Sequence, residues 1–430
     1  MTLAFVYVIG IVGLLALSIP VGAALFMLGL GTDLSKFTII NSMIGSIAWN
    51  TMNDFILVAV PMFILLGEIL TRSGLADRMY RSLAIWIQWL PGGLLHANIA
   101  TCALFAAASG SSVATAATVG TVAQPTLLTL RYDDKLVLGS IAAGGTLGIL
   151  IPPSMNMIVY GALTSTSVGK LFAAGIIPGI ILALIMSLVI IVVTLVKGIR
   201  TEDLRVRMSL GQRLLSLLNL LPVLGIFFVV MGSIYSGLAT PTEAAALGVV
   251  AAIALAAGNR TLSIALLHES FRATVKTTAM MLLIITGAFV LNFSLSLSGV
   301  PQTFATWVTS LNLGPYQTIW ILVIFYLILG CFLEAMAMLV TTIGVVFPLV
   351  IQLGFDPVWF GIFMVVMMEL ATITPPVGLN LFVVQNIRIR PGSITDIYRG
   401  IVPFVAAMFI FTAILIYMPE IALWLPSKMF

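Results

Sequence analysis

Two pairs of consecutive prolines lie inside long apolar stretches, and they constrain the fold more than any other feature of this sequence. The pairs are Pro152-Pro153 and Pro375-Pro376. A proline removes its own N–H and clashes with the carbonyl four residues earlier, so neither stretch continues as one regular helix. Inside a membrane, broken helices occur only where protein or a water-filled cavity surrounds them. One such break in each half of a membrane protein predicts a transporter binding site.

The composition places both breaks in a membrane. Of the 430 residues, 61% are hydrophobic and 8% are charged, whereas soluble domains carry about 25% charged residues. Stretches such as residues 3–30 and 176–196 exceed the roughly 20 apolar residues that cross a bilayer. The first stretch lacks a basic start and a small-residue cleavage site, which predicts a retained helix. We therefore expect an all-α polytopic membrane protein that binds membrane lipid and no nucleic acid.

The second half of the chain repeats the landmarks of the first half. The step along the chain from Pro125 to Pro348 is equal to the step from Pro152 to Pro375. A Ser-Gly turn, an interfacial segment, a hairpin and a broken helix follow in the same order in both halves. The equal steps and the shared order predict an internal repeat.

In the first half, two short apolar segments are joined by the tip Ser109–Ser112, and no charged residue marks a membrane surface at this turn. This predicts a re-entrant helical hairpin whose tip stays inside the membrane. The repeat predicts a second hairpin that begins at Pro315, with its tip near residues 331–336.

These landmarks divide the chain into six segments. The boundary between the halves is the basic connector from Lys197 to Arg213, which contains Arg200, Arg205 and Arg207. We expect scaffold spans and an interfacial arm in residues 1–90, the first hairpin and broken helix in 91–172, connecting spans and the basic loop in 173–232, the second scaffold spans and arm in 233–313, the second hairpin and broken helix in 314–391, and the last span in 392–430.

The basic residues predict the orientation of the chain. With a cytoplasmic N-terminus, nine full crossings and hairpins that return to their own side, 16 of the 19 Lys and Arg residues lie in the cytoplasm. Only Lys36, Lys170 and Lys428 then lie outside. This positive-inside bias predicts a periplasmic C-terminus and two repeats of inverted topology.

Two hairpin tips that face two broken helices would place polar backbone at the middle of the membrane. Half-helix N-termini attract an anion, and freed carbonyls suit a hard cation. Only two histidines occur in the chain, which favours sodium over a histidine proton relay. The alternative is that these small residues merely ease helix packing, but their matched pairs favour a site.

The candidate residues form three sets. The first sodium set contains Ser109, Gly110, Ser111, Ser112, Gly145, Thr146 and Gly148; the second contains Glu334, Ala335, Ala371, Thr372 and Thr374; the substrate set contains Ser111, Ser154, Asn156, Gly378 and Asn380.

Four carboxylates lie within or near apolar stretches, where a charge is costly and therefore functional by default. Glu68 and Glu243 lie near helix ends, which favours pairing or capping. Glu369 is grouped with them as a structural carboxylate. For Glu369 and Glu334, two roles stay open: each could tune ion binding or accept hydrogen bonds that hold a break open.

Several stretches together resemble the large membrane subunit of the tripartite ATP-independent periplasmic (TRAP) transporters. They are Ala108–Ser112, Gly144–Pro153, Ala239–Ala245 and Glu369–Asn380. The resemblance implies an elevator mechanism, with a moving transport domain against a scaffold, in the bacterial inner membrane. It also implies sodium-driven uptake of a small organic anion, such as a C4-dicarboxylate or a sugar acid, that a periplasmic binding protein delivers.

The resemblance further implies a separate small four-helix membrane subunit, since no four-helix extension precedes Met1. The family usually carries an aspartate and a proline at the second hairpin tip, where this chain has Glu334 and Ala335.

Two other functions are compatible with parts of this pattern. A stand-alone sodium/anion symporter could share the inverted-repeat core. An intramembrane enzyme would need paired acids, a Ser/His pair or a metal cluster. Since His96 and His268 are distant in sequence and no such pairing stands out, we expect no enzymatic activity.

Overall fold

The computed structural model describes residues 7–31, apart from residues 8, 12 and 16, together with residues 37–198 and 210–430. Regular secondary structure in this part is helical, without a strand. Lys36, one of the three basic residues expected outside the cytoplasm, lies outside the described residues. Arg200, Arg205 and Arg207 of the basic connector also lie outside them.

The helices are numbered in chain order from residue 21. The first half contains α1 (Val21–Gly31), α2 (Phe37–Met52), α3 (Ala59–Arg72), α4 (Leu75–Ile87), α5 (Leu94–Ser109), α6 (Ser112–Thr129), α7 (Asp134–Leu150), α8 (Met155–Thr164) and α9 (Val168–Val196). The second half contains α10 (Leu210–Leu217), α11 (Leu221–Tyr235), α12 (Pro241–Gly258), α13 (Ile264–Leu297), α14 (Val300–Ser310), α15 (Pro315–Gly330), α16 (Ala335–Gln352), α17 (Pro357–Ile373), α18 (Leu379–Asn386), α19 (Ile394–Tyr417) and α20 (Glu420–Met429).

Seven helical segments of the described part are long and apolar enough to cross a membrane. The number rises to eight if α3 and α4, which are bent by 68° relative to each other, count as one span. The chain is therefore a multi-pass membrane protein. The predicted total of nine crossings includes the first apolar stretch, part of which lies outside the described residues.

The helix bounds repeat along the chain with the same step as the prolines. This step carries both ends of α6 onto the ends of α16, and both ends of α7 onto the ends of α17. It also carries Asp133 onto Asp356, and these two side chains accept hydrogen bonds from backbone N–H groups in the first turns of α7 and α17. Such aspartate caps satisfy N–H groups that have no partner within the helix. The inversion of the two repeats stays a prediction.

The two broken helices form the centre of the protein. Every residue of α7 from Leu136 to Leu150 is buried, and so is every residue of α17 from Val358 to Ile373. Helices α5, α6, α8, α9, α18 and α19 pack around them. Small residues permit these close approaches: a Cβ on Gly139 would overlap the backbone of Gly400 in α19. The first break is therefore buried among these helices at Pro152 and Pro153, whereas Pro376 and Val377 of the second break are exposed.

Helix α2 and helix α20 are the elements that the sequence pattern does not predict. Helix α2 has 16 residues, which include serine, threonine and asparagine, and it is not among the helices of the described part that are long and apolar enough to cross a membrane. It leaves Met43 and Trp49 exposed. It packs against α13. The predicted last span consists of α19 followed by the short α20, because the chain turns at Met418 and Pro419.

Candidate ion and substrate site

The first hairpin tip is a sharp turn between α5 and α6. Gly110 adopts the left-handed region, with φ +60°, which other L-residues rarely enter. Ser111 caps α6, and its hydroxyl accepts from the Ala114 N–H at 3.4 Å. The hydroxyls of Ser109 and Thr115 are 2.8 Å apart. Ser112, the first residue of α6, is buried.

This tip lies directly against the break of its own half. A Cβ built on Gly110 would lie 2.7 Å from the carbonyl oxygen of Pro153. A Cβ on Gly148 would lie 2.5 Å from the carbonyl oxygen of Ser111. Glycine therefore lets the tip and the broken helix meet through backbone oxygens. Gly145 makes a similar approach to α6, where a Cβ would lie 2.6 Å from the Cβ of Ala116.

The second tip repeats this arrangement with different side chains. Glu334 caps α16, and its Oε2 accepts from the Ala337 N–H at 3.3 Å. The next residue, Ala335, is buried. The Cys331 thiol lies 3.7 Å from the carbonyl oxygen of Pro375. A Cβ on Gly330 would overlap Ala371, so this tip also touches the break of its own half.

Side chains satisfy several of the carbonyls at the breaks. The prolines free the carbonyl of Ile149, which accepts from the buried Ser154 hydroxyl at 2.6 Å. The Tyr398 hydroxyl donates to the carbonyl of Pro376 at 2.6 Å. The hydroxyls of Thr372 and Thr374 donate to the carbonyls of Glu369 and Leu370 at 2.8 and 2.6 Å. In this structure the Ser154, Thr372 and Thr374 hydroxyls thus donate to backbone.

The remaining substrate candidates lie at the start of the two half-helices after the breaks. Asn156 is buried in the first turn of α8. Gly378 precedes α18 with φ +35°, and a Cβ there would lie 3.1 Å from the carbonyl oxygen of Thr372. Asn380 is fully buried, and its amide donates to the carbonyl of Ala142 in α7 at 3.3 Å. It thereby joins the two halves of the chain.

The four carboxylates have different environments. Glu68 pairs with Arg72 at 3.2 Å, and Arg72 also pairs with Glu269. Glu243 forms a capping box with Thr240 at the start of α12. Glu334 is the exposed cap at the second hairpin tip. Glu369 is fully buried, and the Thr146 side chain lies beside it.

Sequence reasoning missed three residues that shape these contacts: Thr115, Ala116 and Cys331. Thr115 bonds both the hydroxyl of Ser109 and, at 2.7 Å, the carbonyl of Ser111. A threonine one turn after a serine cap is a local signal for this pairing. Cys331 gives no such signal, because its contact with Pro375 joins residues that are far apart in the sequence.

The arrangement places four helix N-termini, those of α6, α8, α16 and α18, next to the two breaks. Helix N-termini carry partial positive charge, and unpaired carbonyls carry partial negative charge. Paired hairpins and broken helices in an apolar bundle define the class of secondary transporters that bind solutes at such interruptions.

Within that class, the chain belongs to the TRAP transporter large permeases. The family model described as "Tripartite ATP-independent periplasmic transporter, DctM component" matches residues 4–421. The chain is 38% identical to the C4-dicarboxylate TRAP transporter large permease DctM of Pseudomonas aeruginosa, over 88% of each protein. It is 32% identical to the sialic acid permease SiaM of Vibrio cholerae, over 98% of this chain and 97% of that one. It is also 32% identical to the ectoine permease TeaC of Halomonas elongata, over 87% of each. It is a transport protein and not an enzyme.

The fold is also similar to that of MtrF of Neisseria gonorrhoeae, a member of a class of antimetabolite efflux pumps. The TM-score is 0.53 at 14% identity, over 90% of this chain and 85% of that chain. The likeness is one of fold.

Proposed function

We propose that this permease carries out sodium-driven uptake of a small organic anion by an elevator mechanism. The observation that carries the proposal is the matched contact of tip and break. Gly110 meets the Pro153 carbonyl in one half, and Cys331 meets the Pro375 carbonyl in the other. Two such meeting points offer the backbone oxygens that a hard cation needs, beside helix N-termini that suit an anion.

A close contact at a glycine supports the division into a moving domain and a scaffold. The hairpins, broken helices and half-helices α5–α8 and α15–α18 would move together. The scaffold helix α3 approaches the first tip at Gly67, where a Cβ would lie 3.0 Å from the carbonyl oxygen of Ser109. A glycine at this contact leaves no side chain to block sliding.

We base our proposals for the substrate and the partners on membership of the family. The named relatives carry C4-dicarboxylates, sialic acid and ectoine, so we propose a small carboxylate-bearing solute. A periplasmic binding protein would deliver it, and a small four-helix membrane subunit would complete the permease. We place the protein in the bacterial inner membrane with a cytoplasmic N-terminus and a periplasmic C-terminus.

The test is uptake into proteoliposomes that contain the full chain and its small subunit, with the purified binding protein outside. A thermal-shift screen of the binding protein with a C4-dicarboxylate, a sialic acid and ectoine selects the radiolabelled probe. We expect uptake with an inward sodium gradient and none when choline replaces sodium. Uptake that is indifferent to sodium would overturn the coupling.

A stand-alone sodium/anion symporter is the alternative mechanism. In that case the same proteoliposomes would take up the probe without binding protein. We expect no uptake under that condition. Sodium-driven uptake in its absence would favour the alternative.

A further inference from the structure

An open cleft of about 450 Å³ lies between helices α2 and α13 and is not part of the tip and break contacts. One wall comes from α2 and the turn after it, and its polar members are Asn50, Thr51 and Asp54. Residues three and four apart lie on one face of a helix, so an amide, a hydroxyl and a carboxylate line this wall together.

The opposite wall of the cleft is one face of α13. Phe289, Asn292, Phe293 and Ser296 line it, and they follow one another in steps of three and four residues along the helix. Two phenyl rings therefore stand beside an amide and a hydroxyl, across from the carboxylate of the first wall.

The cleft lies where the scaffold meets the proposed moving domain. Ala162 of the half-helix α8 also lines it, and a Cβ on Gly344 of α16 would overlap the side chain of Asn292. Asn156, a substrate candidate, precedes Ala162 by six residues of the same helix, which is about 9 Å along its axis. In the proposed orientation, this end of α8 is on the periplasmic side, from which the binding protein would deliver the solute.

Asp54 gives the cleft a negative charge that no neighbour neutralises. Its Oδ1 accepts from the N–H groups of Ile56 and Leu57 at 2.8 and 3.3 Å, which fixes the carboxylate at the turn before α3. Among the described residues, no basic side chain pairs with Asp54. The lining drawn from these residues contains no lysine, arginine or histidine.

We propose that the cleft is an entry subsite that binds the cationic nitrogen of a zwitterionic solute, that is, a solute with both a carboxylate and a positive nitrogen. The inference rests on the proposed uptake and narrows its solute class. Asp54 attracts the positive nitrogen, and the faces of the Phe289 and Phe293 rings favour a cation. A dicarboxylate without such a nitrogen would meet only the like charge of Asp54, which is unfavourable.

The experiment compares two solutes that differ only in this nitrogen. Glycine betaine has a trimethylammonium group, and tert-butylacetate has the same shape and carboxylate with a carbon in place of the nitrogen. Titration calorimetry measures both with the full chain and its small subunit in lipid-free maltoside micelles. We expect glycine betaine to bind about tenfold or more tightly than tert-butylacetate. Equal affinities, or no binding of glycine betaine, would overturn the inference.

A charge variant locates this preference at Asp54. Asp54→Asn keeps an oxygen that accepts from the Ile56 N–H and removes the charge. We expect the affinity for glycine betaine to fall to that for tert-butylacetate. Asp77→Asn is the matched control, because Asp77 pairs with the exposed Arg81 on α4, and both affinities should stay at the wild-type values. An unchanged preference in Asp54→Asn would overturn the role of the cleft.

A second variant covers the case in which Asp54→Asn does not fold. Ala162→Leu fills the cleft from α8, and we expect it to weaken the binding of glycine betaine about tenfold or more. Ala183→Leu in α9 is its control, since Ala183 is also half-buried and is not in the lining of the cleft. Equal affinities in these two variants would also contradict the inference.

A lipid headgroup with an ammonium group is another source of a cationic nitrogen. Phosphatidylethanolamine and phosphatidylglycerol are therefore added separately to the micelles during the titration. We expect neither lipid to displace glycine betaine. Displacement by phosphatidylethanolamine alone would assign the cleft to lipid and overturn the solute subsite.

The outcomes separate this inference from the transport proposal. Binding of glycine betaine that depends on Asp54, together with uptake indifferent to sodium, would overturn the sodium coupling and support the subsite. Sodium-driven uptake together with equal affinities for glycine betaine and tert-butylacetate would overturn the subsite alone.

Discussion

Ser111 and Glu334 occupy equivalent positions in the two repeats, and each caps the second helix of its hairpin. Ser111 accepts from the N–H of Ala114, and Glu334 accepts from the N–H of Ala337, three residues onward in both cases. The two halves therefore build the same turn with a hydroxyl in one and a carboxylate in the other. The common element is a side-chain oxygen that satisfies a free N–H at the helix start.

The first prediction tests this shared role. Glu334→Ala should destabilise the protein by about 1 kcal/mol, the usual cost of losing a helix cap. Glu334→Ser should retain most of that stability, because serine caps the equivalent helix at Ser111. The measurement is the free energy of unfolding in mixed detergent micelles. Equal losses in both variants would show that the cap is not what Glu334 contributes.

The second prediction concerns Gly110. Gly110→Ala should cost about 1–2 kcal/mol because alanine is strained in the left-handed region. It should cost about 1–3 kcal/mol more, because its Cβ would lie 2.7 Å from the Pro153 carbonyl oxygen. Gly74→Ala is the matched control, since Gly74 has φ +75° and nothing within 4 Å of the added Cβ. Thermal unfolding in detergent compares the two. Similar losses would mean that the hairpin tip and the break are not in contact.

The third prediction concerns sodium affinity at the first break. Gly148→Ala should weaken sodium activation of uptake at least tenfold, because the added Cβ would push the Ser111 carbonyl oxygen away. Gly225→Ala adds the same methyl group in α11 with nothing within 4 Å, and its sodium dependence should equal that of the wild type. The sodium concentration for half-maximal uptake is the measurement. An unchanged value in Gly148→Ala would remove this glycine from the site.

The fourth prediction concerns the ion pairs that tie α18 and α19 to α7. Arg388, with 6% of its side chain exposed, pairs with Asp134 and Asp396 at 2.5 and 3.1 Å. Arg388→Gln should cost about 2–3 kcal/mol, somewhat less than for a fully buried pair, because both aspartates are partly exposed. The exposed pair of Arg81 and Asp77 is the comparison, and Arg81→Gln should cost at most about 0.5 kcal/mol. Denaturant titrations of the two variants measure these losses of unfolding free energy, and equal losses would contradict the prediction.

The fifth prediction concerns the membrane potential. Each elementary charge that moves inward gains roughly 2.3 kcal/mol per 100 mV. If one net positive charge enters with each substrate, an inside-negative potential of this size should raise limiting accumulation roughly 50-fold. Potassium gradients with valinomycin set the potential in proteoliposomes. Accumulation that does not respond would mean an electroneutral cycle.

Much of the fold could be predicted because it depends on local chemistry. The double prolines end α7 and α17 whatever surrounds them, and the glycine and serine tip separates α5 from α6. Helix α2 was missed because its polar residues hide it from hydropathy, and its position depends on packing against α13. The contact of Cys331 was also missed, because only the tertiary fold brings its thiol to the carbonyl oxygen of Pro375.

The sequence by itself determined where helices break, the evenly stepped repeat of landmarks, and the resemblance to the TRAP family, because proline geometry and apolar length act within a few residues. The tertiary structure decided which groups come into contact at the breaks. It placed Gly110 and Cys331 against the break of their own half. It also directed the Ser154 hydroxyl to the carbonyl oxygen of Ile149, to which it donates a hydrogen bond. It also brought Thr146 of one half to Glu369 of the other. These contacts join residues far apart in the chain, and they depend on close approach at small side chains, which local patterns do not encode.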